Sequence, residues 1–392
     1  MTFTPLTSDF FGFATDLTEA EQASLAEIRA FMEQRVRPVI DEHWHADTFP
    51  HQLIPELAGL GVVGPGWAES ARIENSAVYR GWVALEMSRV DASVSTFVAV
   101  QNGLVAGSIG VAGSDEQRAE WLPKLADCSV IGAFGLTEPL SGSDAAQGLR
   151  TTARREGEEW VIDGAKRWIG NATHADIVVI WAKDAADGQV KGFIVPTDTA
   201  GFAATKIERK ISLRMVQNAD IVLEGVRVPE SMRLQRASSF RDTAKVLRLT
   251  RAEVAWSAVG VMIGAYEAAV RYTTERVQFG KPIAGHQLVQ DLLAKSLGHI
   301  TASIALCVQV SRMLDEGRQE DAHSALAKAY ATTRMREVVA WCREVCGGNG
   351  IVTDYDVARF FVDAEALYTY EGTAQMNSLI VGRAISGQSA FA

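Results

Sequence analysis

Phe134-Gly135-Leu136-Thr137-Glu138-Pro139-Leu140-Ser141-Gly142-Ser143-Asp144 is where this chain changes character. The stretch closes a short apolar run, 131–136, with hydroxyls, glycines, a proline and an aspartate. An apolar run ended in that way reads as a strand entering a loop. Hydroxyls and free backbone N–H groups in such a loop suit a polar ring or a phosphate; the alternative for this segment alone is an ordinary turn.

Downstream the same pattern recurs in Trp160-Val161-Ile162, 177–181, 192–195 and Ile221-Val222-Leu223, with glycine, proline and aspartate between the runs. Upstream the spacing is helical. Leu25, Ile28, Met32, Val36 and Val39 recur on one face, and Thr18 with Glu21 fits a capping box ahead of them. The apolar stretches 77–87 and 97–109 continue that reading. Past residue 240 helical spacing returns, in Val246, Leu249, Val254 and Ala258, then in Leu326, Tyr330, Val338, Cys342 and Val345, before Gly347-Gly348 stops the last helix. Helices, strands, then helices predict three blocks, 1–130, 131–236 and 237–392, in a 392-residue chain too long for one compact core.

Composition narrows the function classes. With 47% hydrophobic and 22% charged residues the chain is an ordinary globular protein. A net charge of −10 argues against a uniformly basic nucleic-acid face, though not against a local basic pocket for a phosphorylated ligand. Cys128, Cys307, Cys342 and Cys346 form no CxxC pair and no cluster with histidine, so no metal site is expected and the thiols read as reduced core residues. The apolar run 254–270 is interrupted by Glu267 and is too short to span a membrane. The first residues show no basic or Arg-rich leader, and a cytoplasmic protein is expected.

Two further segments combine glycine, hydroxyl and charge. One is Arg276-Val277-Gln278-Phe279-Gly280-Lys281-Pro282, followed by His286-Gln287. An arginine at a helix end serves the macrodipole as readily as a ligand, and a lone histidine is more often structural. The other is Cys346-Gly347-Gly348-Asn349-Gly350 with Tyr368-Thr369-Tyr370-Glu371-Gly372-Thr373 about twenty residues later. The glycines either end a helix or let backbone approach a ligand. Glu371 is either a surface carboxylate or a base whose pKa the neighbouring tyrosines raise.

Taken together and in order, these segments resemble the acyl-CoA dehydrogenase family over nearly the whole chain. LTEPLSGSD is similar to its flavin-contacting loop, and Lys166-Arg167-Trp168-Ile169-Gly170-Asn171 to the segment beside the flavin ring. RVQFG is similar to the segment in which an arginine reaches the FAD of a neighbouring subunit, and GGNG and YEGTAQ to the C-terminal signatures. Leu213 to Asn218 and Arg89-Val90-Asp91-Ala92-Ser93 look like the branch of glutaryl-CoA dehydrogenase and the short-chain acyl-CoA oxidases.

The resemblance implies a helical N-terminal domain, a middle antiparallel β domain and a C-terminal four-helix bundle. It implies FAD, an acyl-CoA substrate, an electron-transfer flavoprotein as acceptor and a homo-oligomer, usually a tetramer. Glu371 would take the α-proton while the β-hydrogen leaves as hydride to the flavin. One side of FAD would be held by Phe134, Leu136, Thr137, Gly142, Ser143, Trp168, Ile169 and Gly170, with Thr373 and Gln375 touching it after the base. Arg276, Gln278, Phe279, Gln287 and Gly347 to Gly350, Asn349 included, would hold FAD of the adjacent subunit. Ser95, Ser143, Arg251, Tyr370 and Gly372 would meet the acyl-CoA. At Ser95 the glutaryl enzymes carry an arginine for the distal carboxylate; a serine cannot replace it, so a neutral short or branched acyl chain is expected. An acyl-CoA oxidase, a carrier-protein thioester desaturase and a non-catalytic binder are the competing readings on the same fold.

Overall fold

The computed structural model describes residues 3–390. The first block is helical: α1 (Glu19–Phe31) runs through a π-helical turn, Met32–Val36, into α2 (Arg37–Ala46), followed by α3 (Ile54–Gly59) and α4 (Ala77–Val90). Next, α5 (Ala92–Ala99) continues through a second π-helical stretch, Val100–Ala106, into α6 (Gly107–Ala112), ahead of α7 (Asp115–Ala126). The middle block holds β1 (Gly132–Gly135), α8 (Ala145–Gly148), β2 (Thr152–Glu156), β3 (Glu159–Ile169), β4 (Ile177–Asp184), β5 (Val190–Pro196), β6 (Phe202–Lys206) and β7 (Ala219–Pro229). The last block is α9 (Phe240–Glu275), the short pair β8 (Val277–Gln278) and β9 (Lys281–Pro282), α10 (Gln287–Asp315), α11 (Asp321–Val345), α12 (Val357–Thr369) and α13 (Ala374–Ser386).

The cap at the start of α1 is as expected: the Thr18 hydroxyl accepts from Glu21 N at 3.3 Å, and Glu21 Oε2 accepts from Thr18 N at 2.9 Å. The seven-stranded sheet has the order β1-β4-β2-β3-β7-β6, with β5 paired to β4. It is antiparallel except that β1 and β2 both run parallel to β4, so the purely antiparallel expectation is corrected at those two pairings. Strand β2 carries no apolar run and buries only Ala153 among polar and charged neighbours, while β6 carries only the short, incompletely buried Phe202-Ala203-Ala204. The apolar face expected for α11 is also corrected. Leu326 is 47% exposed and Tyr330 36%. The buried stripe runs instead through Ser324, Lys328, Ala331, Met335, Val338 and Cys342, where small and polar residues hide the period.

Close approach of α4 and α9 joins the first and last blocks. A Cβ on Gly81 would lie 2.1 Å from the Trp256 ring, and one on Gly260 2.3 Å from Leu85 O. Small residues let the two backbones meet, and large side chains fill the flanks. Arg89 locks the same seam. Its guanidinium reaches Glu86 at 3.1 Å, Glu267 at 2.7 Å and Glu33 at 2.6 Å, spanning α4, α9 and the π-turn after α1. The largest apolar cluster runs from Ala14 through Ile162 and Ile221 to Leu367, so one continuous core serves all three blocks.

Candidate active site

Glu371 stands on a backbone turn that the sequence makes abrupt. Helix α12 ends at Thr369, Glu371 has φ +53° and Gly372 φ +80°, and Thr373 then caps α13 by accepting from Met376 N at 3.2 Å. A left-handed glutamate costs on the order of 1 kcal/mol, and such residues persist where their surroundings hold them. Here the buried Lys328 donates to Gly372 O at 2.6 Å and to Tyr368 O at 3.1 Å, and Asn377 Nδ2 donates to Gly372 O at 2.8 Å. Carbonyls on both sides of Glu371 are thereby fixed from α11 and α13.

The Glu371 carboxyl faces α9, where the Thr250 hydroxyl donates to its Oε2 at 2.6 Å. Burial pushes the acid above the ordinary carboxylate range, opposed by the Thr250 hydrogen bond and by the charges of Arg251 and Lys328. Tyr370 brings its hydroxyl to Thr96 and is itself raised by burial. The Tyr368 ring packs under the guanidinium of Arg336, 4.5 Å from its centroid. Arg251 is half-buried, and its Nε has no hydrogen-bond partner among the described residues. Ser95 is 2% exposed, and its hydroxyl donates to Ala84 O at 3.4 Å.

The loop at 134–144 is stapled by an ion pair that sequence reading passed over. Lys166 lies fully buried with its Nζ 2.9 Å from Glu138 Oε1, 3.2 Å from Leu136 O and 2.7 Å from Trp181 O. Glu138 also accepts from Arg150 N at 2.6 Å and Thr151 N at 2.9 Å. Burial draws Lys166 down to about 8, against the pull of Glu138. The pair lays Thr137 beside the end of β3, where Arg167 N donates to Thr137 O at 2.9 Å.

Around this staple the expected cofactor residues divide. Trp168, at φ +66°, leaves its indole 51% exposed, and Gly142 and Ser143 are exposed. Phe134, Leu136 and Ile169 are buried in the core. Gly170 is half-buried beside Val100 and Val216; Thr373 is half-buried and Gln375 exposed.

A second group forms at the far end of α9. Arg276 caps that helix, 26 residues beyond Thr250 and therefore about 39 Å along its axis. Gln278 and Gln287 are exposed and Phe279 is 95% exposed, while Asn349 donates to the Tyr272 hydroxyl at 3.0 Å and so brings the glycine turn Gly347–Ile351 to the same end. Nothing lies within 4 Å of a Cβ on Gly347 or Gly348, whereas Gly350 packs on Arg343 O. Within one chain this group therefore lies far along α9 from Thr250 and the Glu371 carboxyl that Thr250 holds.

Two residues of the site gave no motif. One is Lys328, hidden in an alanine-rich helix. The other is Glu253, one turn beyond Thr250 on α9, whose carboxyl burial pushes up to about 7; Asn102 opposes that shift, Glu371 adds to it, and Arg80 opposes it. Their only sequence signal is helical spacing, at three or four residues, from positions that matter.

Comparison with known proteins places this arrangement. Residues 18–129, 133–226 and 240–386 match the N-terminal, middle and C-terminal domains of acyl-CoA dehydrogenase. The chain is 31% identical over 365 residues to an acyl-CoA dehydrogenase of Bacillus subtilis, covering 92% of this chain and 96% of that one. It is 30% identical over 360 residues to a 3-(aryl)acrylate reductase of Clostridium sporogenes, covering 90% and 95%. A glutaryl-CoA dehydrogenase from Mycobacterium smegmatis, solved in complex with FADH2, superposes with a TM-score of 0.94 at 35% identity over 100% of both chains. Butyryl-CoA dehydrogenase from Megasphaera elsdenii gives 0.90 at 30% identity, covering 94% and 98%.

The chain belongs to the acyl-CoA dehydrogenase family. It is an oxidoreductase of that family, and its cofactor is FAD. The residues present fit that group: an exposed indole at Trp168 for a flat ring, and open glycine backbone at Gly142 for close approach.

Proposed function

We propose that the chain removes the α- and β-hydrogens of a short or branched acyl-CoA thioester to give the trans-2-enoyl thioester, with Glu371 as the base. The observation that carries this reading is the Glu371 carboxyl itself, raised by burial, bonded to Thr250 and fixed on a turn held by Lys328. The α-hydrogen of a thioester is a weak acid, and a base with raised pKa narrows the gap it must cross. Backbone N–H groups near Glu371 would hold the thioester oxygen as charge builds there, a contact commonly worth about 3 kcal/mol. FAD supplies the two-electron acceptor for the hydrogen leaving Cβ.

In this reading Thr137, Ser143, Trp168 and Gly170 border the ring, Thr373 and Gln375 approach it beyond the base, and Tyr370, Gly372 and Arg251 meet the thioester. The Arg276 and Gly347 group, remote from Glu371 in its own chain, serves a second subunit, which makes the active form an oligomer. Electrons then pass to an electron-transferring flavoprotein. The same groups run in reverse would serve a reductase, the activity named for the Clostridium relative. Ser95 supplies no cation, which favours a neutral acyl chain over a glutaryl one.

The test is anaerobic mixing of the yellow holoenzyme with butyryl-CoA. The wild type bleaches its flavin; Glu371→Gln keeps FAD and slows bleaching at least about 10²- to 10⁴-fold. Bleaching of the variant at the wild-type rate sinks the assignment of the base. Re-oxidation by air at turnover rate marks an oxidase.

A further inference from the structure

We infer that Glu253 determines specificity at the acyl site, selecting thioesters whose acyl chain carries a hydrogen-bond donor, a hydroxyl or an ammonium group, over plain alkyl and carboxylate-ended chains. This rests on the acyl-thioester reading above.

Glu253 and Thr250 are three residues apart on α9 and turn to the same side. Both converge on Gly103 in the π-helical stretch of the first block. A Cβ at position 103 would lie 2.7 Å from Glu253 Oε2 and 2.9 Å from Thr250 Cγ2. The glycine is therefore what admits the carboxyl, and π-helical turns recur at functional sites. Thr250 in turn holds Glu371 at 2.6 Å, and Tyr370 feels the charge of both glutamates. Glu253 thus borders the place where the acyl chain must lie for its α-carbon to meet Glu371.

The partners of Glu253 leave capacity unused. Asn102 spends its Oδ1 on Gly64 N, at 3.0 Å, and offers its amide to the carboxyl. Arg80 is committed to Asn75, at 2.9 Å from its Oδ1, and no cation forms an ion pair with Glu253 within 4.0 Å among the described residues. A carboxyl accepts up to about four hydrogen bonds. An alkyl chain beside it would strip water and return nothing, and a carboxylate would meet two carboxyls, Glu253 and Glu371, whose own charging burial already opposes. A hydroxyl or ammonium donor answers the unused oxygens and is worth about tenfold in affinity.

The experiment compares affinities of butyryl-, 4-hydroxybutyryl-, 4-aminobutyryl- and glutaryl-CoA for FAD-loaded protein, read from the change in flavin absorbance. It is run in the Glu371→Gln background, without turnover, so the result does not depend on the base; failure of the base reading shows separately, as flavin reduction persisting in that background. The 4-hydroxy or 4-amino thioester should bind about tenfold tighter than butyryl-CoA, with glutaryl-CoA weakest. Glu253→Leu should bring the donor-to-alkyl ratio to about one. Glu253→Gln, close in shape, should keep a preference for hydroxyl and lose one for ammonium, and it decides the matter if the leucine variant loses FAD. A donor-to-alkyl ratio unchanged in Glu253→Leu, an ammonium preference kept in Glu253→Gln, or tightest binding of butyryl- or glutaryl-CoA by the parent overturns the inference.

Discussion

Thr250 gives the most direct handle on the base. Its hydroxyl donates to the charged form of Glu371 and so holds that carboxyl lower than burial alone would. Thr250→Val keeps the shape and removes the donor, so the acid limb of the flavin-reduction rate should move to higher pH. The check is the rate of anaerobic bleaching by butyryl-CoA from pH 5 to 9; a limb that stays put or moves to lower pH contradicts the arrangement. At this scale Glu371 was legible because its flanking residues form a motif. Lys328 and Glu253 were not, because a single charged residue in a helical pattern looks like a solvated face until the neighbouring helices are in place. The Arg89-Val90-Asp91 run was legible as a family mark. Its chemistry here is structural: Arg89 gathers three carboxylates, and Asp91 caps α5 by accepting from Val94 N at 2.8 Å.

Among the elements, the 134–144 loop depends on one buried ion pair. Removing one partner of such a pair leaves an uncompensated charge and costs about 3–5 kcal/mol. Glu138→Gln should therefore lower the unfolding temperature and weaken FAD binding together, read by thermal melts with and without added FAD. Unchanged melting would mean that the backbone donors of Arg150 and Thr151, not Lys166, carry the loop. The seam of α4 and α9 makes a second claim. Gly81→Ala places a methyl group on the Trp256 ring, and overpacking of this kind typically costs about 1–3 kcal/mol; urea unfolding measures it, and a variant as stable as the parent would show that Trp256 has room to move. Strands built on apolar runs were visible in sequence. Strands β2 and β6 were not, since their residues are fixed by neighbours distant in the chain.

For the molecule as a whole, buried acids set a pH dependence. Asp363 is 2% exposed, accepts from Leu213 N at 2.6 Å and is pushed up to about 7 by burial and by Asp91, against Arg359 and Lys210. Between the ordinary carboxylate range and about 7 the folded chain keeps a proton that the unfolded chain releases, so this share of stability is full at the acid end and is lost as pH rises through 7. Asp363→Asn retains the acceptor and removes the titration. Its stability relative to the wild type should rise from pH 5 to about 7 and level off by pH 8, by about 3 kcal/mol at most. A constant difference across that range would place the proton elsewhere. Helix–strand–helix order was readable over the whole chain, but the sharing of one interior by the three blocks was not, because packing partners leave no local trace.

That shared interior bears on how this protein can be varied. The three stretches are labels on a sequence rather than modules that fold alone. Amide exchange should find no block that opens independently of the others, and a chimera taking its first hundred residues from a relative must also inherit the surface of α9 against which they close. Changes in acyl preference are then easier to reach by single substitutions at positions such as 253 than by exchanging whole segments.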